Sequence, residues 1–262
     1  MTNQEVLQIA MKQSAIDLNC KSSDFIGEEN KVVLSKAHPD ARKYLELPFV
    51  CTLVSYGRNI VASVQEEWKD VVWDYIQQYS VEHCFETPNL HILNDALQKG
   101  GQRICFMAEY FLPDLNQLKE QKCSYPIKVL EQEAFETLYT KSWSNALCEK
   151  RKQLDVLGVG AYKEGQLIGL AACSADCDKM WQIGVDVLPE YRRRGIASAL
   201  TSKLALEILE RKRVPFYCAA WSNIKSVRNA IRCGFRPAWV ELTAKPIEFV
   251  AQMNQEKNKV NE

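Results

Sequence analysis

W-Q-I-G-V-D-V-L-P-E-Y-R-R-R-G-I-A-S-A-L, residues 181–200, is the stretch on which the fold turns. Its first part is β-branched and apolar at alternate positions and reads as a strand over 181–187. Pro189 ends that strand, and Arg192, Arg193 and Arg194 follow in a row. Gly195 then opens a helix expected over 195–211, with Ala197, Leu200, Leu204, Ala205 and Ile208 on one face. A helix start exposes backbone N–H groups at the positive end of the helix dipole. Glycine there lets a ligand approach the backbone closely, and three arginines add charge. The loop is thus a candidate phosphate or pyrophosphate site. The plain alternative is a solvated basic loop whose glycine merely starts the helix.

Reading outward, residues 214–220 predict a strand and 224–233 a helix, ended by Gly234 where left-handed backbone is needed. Residues 235–244 form a last strand region. Upstream, 127–130 predicts a strand, 131–152 reads as helical, and 156–161 and 167–173 are strands joined by a turn at 163–165. An antiparallel start leads into a parallel β-α-β centre, which is α+β in a layered (α/β-like) arrangement.

The first half carries elements but no catalytic signature. Residues 4–18 predict an amphipathic helix, and 31–34 a short strand. Residues 48–54 and 60–64 predict a hairpin turned at Gly57. Val64, Trp68, Val71, Val72, Tyr75, Ile76 and Tyr79 recur at helical spacing and are expected to face a core. Residues 91–99 read as a helix and 103–111 as a strand. The polar run 114–124 is the candidate linker. It divides the chain into an N-terminal α/β lobe over 1–120, of unread role, and a second domain over 121–262.

Lys+Arg and Asp+Glu number 33 each, so no net field recruits nucleic acid, and none is expected as a partner. There is no basic start followed by an apolar run, and no uninterrupted apolar stretch of membrane-spanning length, so no membrane partner is expected and the protein is expected in the cytoplasm. The ten cysteines are scattered, which fits reduced thiols used as small hydrophobes. His83, Cys84 and His91 could converge on a metal, but ordinary surface or core roles are the expectation, and no metal is assigned. Oligomeric state leaves no trace in the sequence.

Two blocks together resemble the GNAT superfamily of N-acyltransferases. The first is Arg192-x-x-Gly195-x-Ala197 after a V-x-V-L-P strand end, matching the family's R/Q-x-x-G-x-G/A. The second is W-S-N-I-K-S-V-R-N-A-I-R-C-G-F, residues 221–235, which is similar to the family's Asn, helix and Gly-Phe sequence. The resemblance covers roughly 125–244. It implies a mixed, mostly antiparallel sheet with a splayed parallel pair flanked by helices. It implies acetyl-CoA as co-substrate and a primary amine of a small molecule or peptide as acceptor, with direct attack in a ternary complex. By position, the pantetheine arm would lie along the backbone of Val185 and Val187. The pyrophosphate would rest on the amides of Arg192, Arg193, Arg194, Gly195, Ile196 and Ala197. Asn223 would flank the pantetheine arm, although it or Ser222 could equally cap the helix, and Ser226 matches a small-residue position.

The chain departs from the family at one catalytic position. Counting back from Gly234 and Phe235, the usual proton-donating Tyr is Ala230. Tyr191 and Tyr217 are the nearby hydroxyls that could substitute. Asp186 and Glu241 are the candidate bases, each with a surface or salt-bridged role as the alternative. The competing reading is a non-catalytic acyl-CoA binding or sensing protein.

Overall fold

In the computed structural model, which describes residues 1–259, the chain runs α1 (Asn3–Leu18), β1 (Lys31–Leu34), β2 (Cys51–Ser55), β3 (Val61–Val64), α2 (Lys69–Gln78), α3 (Thr87–Gln98), β4 (Gln102–Pro113), β5 (Ile127–Glu131), β6 (Asp155–Lys163), β7 (Gln166–Ser174), β8 (Met180–Val187), α4 (Ile196–Glu210), β9 (Val214–Ala219), α5 (Ile224–Arg232), β10 (Phe235–Pro246) and α6 (Ile247–Lys259). The last three residues of the expected second domain lie outside the described residues. The mixed α+β class read from the sequence is the class observed.

The chain forms two compact units. One contains Met1–Ala10 and Tyr110–Ala238; the other contains Met11–Glu109 and the segment from Trp239 onward. This differs from a single division at residue 120. The chain passes between units inside α1, β4 and β10, not through the polar run 114–124. That run is tied down within its own unit. Asp114 N–H donates to Gly234 O at 2.8 Å, and Leu118 is buried.

In the first unit β5, β6, β7 and β8 pair antiparallel in sequence order, and β8 pairs parallel with β9. The strand order is β4-β9-β8-β7-β6-β5. One face is packed by α4 and α5, with Leu157, Val159, Ile168, Leu200, Leu204 and Phe235 in its core. The opposite face carries a smaller cluster of Phe135, Trp143, Ala146, Leu147, Leu170 and Ala172.

Residues 131–152, read as helical, form three short 3-10 turns instead (Gln132–Phe135, Lys141–Trp143, Glu149–Leu154). The apolar positions Phe135, Leu138, Tyr139, Trp143, Ala146 and Leu147 do keep helical spacing, so periodicity alone reads the stretch as a helix. The backbone amides of Asn145 and Ala146 nevertheless bond a side chain of β8, described below, instead of helical carbonyls.

The second unit pairs β1, β3, β2 and β10 in that order. Its core, including Leu53, Ile60, Val72, Ile76, Leu93 and Leu97, is covered by α2 and α3. The apolar face expected from Val64 starts later, because Val64 belongs to β3 and a 3-10 turn at Glu66–Trp68 precedes α2. Val71 also faces outward, at 37% exposed. The ten cysteines are all free thiols, five of them buried. Among the described residues no three His, Cys, Asp or Glu side chains gather as metal ligands, and no helix is long and apolar enough to cross a membrane.

Candidate functional site

β8 and β9 are joined at one end only. Their parallel pairing covers Met180–Val214, Trp181–Pro215 and Gln182–Phe216 and then stops. From Ile183 to Val187, β8 keeps its ladder with β7. Its other edge meets no strand partner among the described residues, so backbone N–H and C=O groups there are available to something inserted in the gap. Val185 and Val187 lie on this segment. Their side chains pack toward the α4 and α5 core, while the backbone edge opens to the splay.

The loop after β8 ends in two left-handed residues. Arg193 has φ 63° and Gly195 has φ 78°. Nothing lies within 4 Å of where a Gly195 Cβ would stand, so the glycine is required by backbone conformation and its surroundings are open. Gly195 is the N-cap of α4 without a side-chain cap, and the first helical bond is Ala199 N–H to Gly195 O at 3.1 Å. The amides of Ile196, Ala197 and Ser198 precede that bond and are oriented for an anion. Ile196 itself is buried and Ala197 half-buried.

The three arginines do different things. Arg192 Nε donates to Val187 O at 2.9 Å and fixes the loop to the end of β8. Arg194 donates to Tyr125 Oη at 2.7 Å and to Glu190 O at 3.1 Å, and its guanidinium lies 5.4 Å from the Tyr191 ring centre. Arg193 makes no hydrogen bond or ion pair among the described residues and is exposed, so of the three it is the one whose guanidinium the loop does not hold, while none of the three charges is neutralised by an acid. Tyr191 braces this loop. Its ring sits edge-on to Tyr125 at 6.1 Å, with Lys163 Nζ 5.8 Å from its centre.

On the other side of the splay, Asn223 rather than Ser222 is the N-cap of α5, accepting from Ser226 N–H at 3.3 Å. Ser226 Oγ lies 2.8 Å from the Tyr217 hydroxyl. Tyr217 is the first β9 residue past the last β8 pairing. Burial pushes its phenol above the ordinary value, against hydrogen bonds from Ser226 and Asn229 that pull it down. Asn229 also joins α5 to the start of α4, accepting from Ser198 Oγ and donating to Thr201 Oγ1, both at 3.1 Å. Ala230 is fully buried and offers no hydroxyl. The sequence signalled Tyr217 only by proximity, and it gave no sign of Asn229.

The two candidate bases have structural partners. Asp186 Oδ2 accepts from the backbone N–H groups of Asn145 and Ala146 at 2.8 and 2.9 Å, and Oδ1 accepts from Asn145 Nδ2 at 2.7 Å. Gly184, two residues earlier on the same face, lets that turn approach. A Cβ there would fall 1.9 Å from Asn145 O. Asp186 therefore anchors the 143–147 segment on β8. Glu241 belongs to the second unit, where Oε1 accepts from Arg42 Nη2 at 2.6 Å and from Trp239 Nε1 at 2.8 Å. The structure does not bring it together with the loop residues in one unit.

The sequence profile of the GNAT acetyltransferase family matches residues 52–238. No curated protein matches the chain. Among solved structures, a GCN5-related N-acetyltransferase from Sphaerobacter thermophilus is 16% identical over 72% of each chain, with a TM-score of 0.46. A GCN5-related N-acetyltransferase-like protein from Streptococcus suis is 20% identical over 72% of each chain, with a TM-score of 0.43. A GCN5-related N-acetyltransferase from Kribbella flavida is 18% identical over 61% of this chain and 64% of its own, also with a TM-score of 0.43.

Proposed function

The chain belongs to the GNAT acetyltransferase family, and from that premise we propose that it moves the acetyl group of acetyl-CoA to a primary amine. The observation that carries this reading is the one-ended β8–β9 pairing set beside an uncapped, glycine-led helix start. An open strand edge suits a pantetheine arm, which bonds to backbone groups. The amides of 195–198 and the free Arg193 suit the pyrophosphate.

In the reaction the neutral amine attacks the thioester carbonyl carbon, the C–N bond forms, the C–S bond breaks, and the thiolate takes up a proton. A backbone N–H on the open edge near Val187 is the natural donor to the oxyanion. Asp186, with both oxygens engaged, is a poor base, so we assign amine deprotonation to solvent at the open β8 edge. Of the two tyrosines, Tyr217 suits the proton donor. Its hydroxyl is held by Ser226 on α5, beside the end of the β8–β9 pairing, whereas Tyr191 serves the loop. Positioned proton transfer contributes roughly 10²–10⁴-fold.

Ala230 and the engaged carboxylates favour one competing reading, a CoA-binding sensor without turnover. Calorimetric titration with CoA, followed by thiol release from acetyl-CoA over an amine panel, separates the two. Saturable CoA binding with amine-dependent thiol release is expected. Binding without release for any amine would establish the sensor, and failure to bind CoA would overturn both.

A further inference from the structure

Two helices of this chain expose faces of opposite charge. α5 buries Ala230 and half-buries Val227, and it leaves Ile224, Lys225, Arg228, Ile231 and Arg232 exposed. Those five residues occupy roughly a third of the helix circumference. Trp221, just before the helix, is 56% exposed, and Ile224 and Ile231 are 50% and 55% exposed. α5 has no acidic residue, and among the described residues Lys225, Arg228 and Arg232 form no ion pair. α2 buries Val72, Tyr75 and Ile76. Its other face, with the 3-10 turn before it, exposes Glu66, Glu67, Asp70, Val71, Trp73 and Asp74. Trp73 is 44% exposed, and among the described residues none of these four acids is ion-paired. Lys69, at the edge of that face, is its one base. Exposed tryptophans bordered by charge of one sign mark surfaces that bury against a partner.

The two charge rows also match in length. Glu67, Asp70 and Asp74 follow one another at steps of three and four, and so do Lys225, Arg228 and Arg232. Seven residues of helix rise about 10.5 Å, which is the span of either row. The polarity extends past the helices. In a chain with 33 Lys+Arg and 33 Asp+Glu, acids outnumber bases in the second unit, which holds α2, and bases outnumber acids in the first, which holds α5. Such a charge distribution steers unlike units of two molecules together. Pairing of like faces is disfavoured, since α5 on a second α5 sets three cations against three, and α2 on a second α2 sets acids against acids.

We propose that the acidic face of α2 docks on the basic face of α5 in a second copy of this chain, a head-to-tail contact anchored by Trp73 and Trp221. One helix pair buries less than the roughly 800 Å² per partner of a standard interface. The association is therefore weak, concentration-dependent and sensitive to salt. It goes beyond the acetyl-transfer reading and does not depend on it.

The test is sedimentation velocity on the full chain from about 1 μM to about 300 μM, at about 0.05 M and about 0.5 M salt. At low salt the mean mass should rise with concentration to a dimer or beyond, and high salt should weaken the association at least tenfold. Asp70→Lys/Asp74→Lys gives a chain basic on both faces, and Lys225→Glu/Arg228→Glu gives one acidic on both. Each variant alone should stay monomeric, and the two mixed in equal amounts should associate, because every α2 then meets an α5 of opposite charge. All four positions are exposed, and circular dichroism checks that the fold is kept. Should either double variant fail to fold, Asp74→Asn and Arg228→Gln take its place, and each should weaken association at least threefold. A wild-type chain monomeric throughout the range overturns the contact, as does association that no substitution weakens, or a pair of folded double variants that stay monomeric when mixed. A monomer that co-sediments with phosphatidylserine vesicles would give α5 to an anionic membrane instead and overturn it too.

Discussion

Asp186→Asn discriminates between an anchor and a base, and its size can be worked from three bonds. The carboxylate accepts two backbone N–H groups on Oδ2 and the Asn145 amide on Oδ1, at 2.7–2.9 Å. An asparagine can keep its oxygen toward the backbone donors, and Asn145 can turn its own amide to re-form the third contact. What is lost is the charge. Hydrogen bonds to charged groups contribute about 1.5–3 kcal/mol, against about 0.5–1.5 for neutral ones. Half-exposure of the site screens part of that difference. A net loss of about 2 kcal/mol is expected, which is roughly 4–8 °C in Tm for a chain of this size. CoA affinity should change little, and thiol release should fall by less than tenfold. Differential scanning fluorimetry, CoA calorimetry and a thiol assay on one preparation give the three readings. An unshifted Tm with turnover reduced roughly 10²-fold or more would refute the anchor argument and make Asp186 the base.

Three further outcomes follow from the geometry. Gly195→Ala puts a side chain on left-handed backbone at about 1–2 kcal/mol, and it places a methyl group where the pyrophosphate is expected. CoA affinity should drop at least tenfold while the fold survives, and unchanged affinity would remove the loop from the cofactor site. Tyr217→Phe should cut thiol release by tenfold or more at unchanged CoA affinity, with the largest loss for thioesters of less acidic thiols; a full-rate variant excludes Tyr217 as the donor. Asp155 is buried, and burial pushes its carboxyl up to about 6, against the Cys148 N–H, Tyr139 and Arg151, which pull it down. A raised folded value means the folded state binds the proton more tightly, so this group's stabilisation is present below about pH 4 and is lost as pH rises through about 6. Relative to wild type, Asp155→Asn should therefore gain about 3 kcal/mol between pH 4 and pH 7, read by urea unfolding; a pH-independent difference would contradict it.

What could be read in the sequence is what local periodicity and counting record. Strands β6 to β9, the hairpin at Gly57, helix α4 and the Gly234 stop each declare themselves within about ten residues. Counting from Gly234 also exposed Ala230. What stayed hidden depends on residues far apart in the chain. Asp186 meets Asn145 across 41 positions, which converts an apparent helix into 3-10 turns. Glu241 meets Arg42 across 199, so a carboxylate read as a possible base is an ion-pair partner. Choosing between Asn223 and Ser222 as cap needed backbone angles, since both side chains suit the role.

The interleaving of the two units has a consequence for the order in which the protein can be made. Strand β2 of the second unit takes Val240, Glu241, Leu242 and Thr243 of β10 as its partners, and these are synthesised after every residue of the first unit. The growing chain must hold an incomplete sheet edge at β2 throughout translation of more than a hundred intervening residues. Exposed strand edges are aggregation-prone while they wait. A stop codon anywhere before β10 leaves that edge open, and no single cut in the gene releases either unit whole.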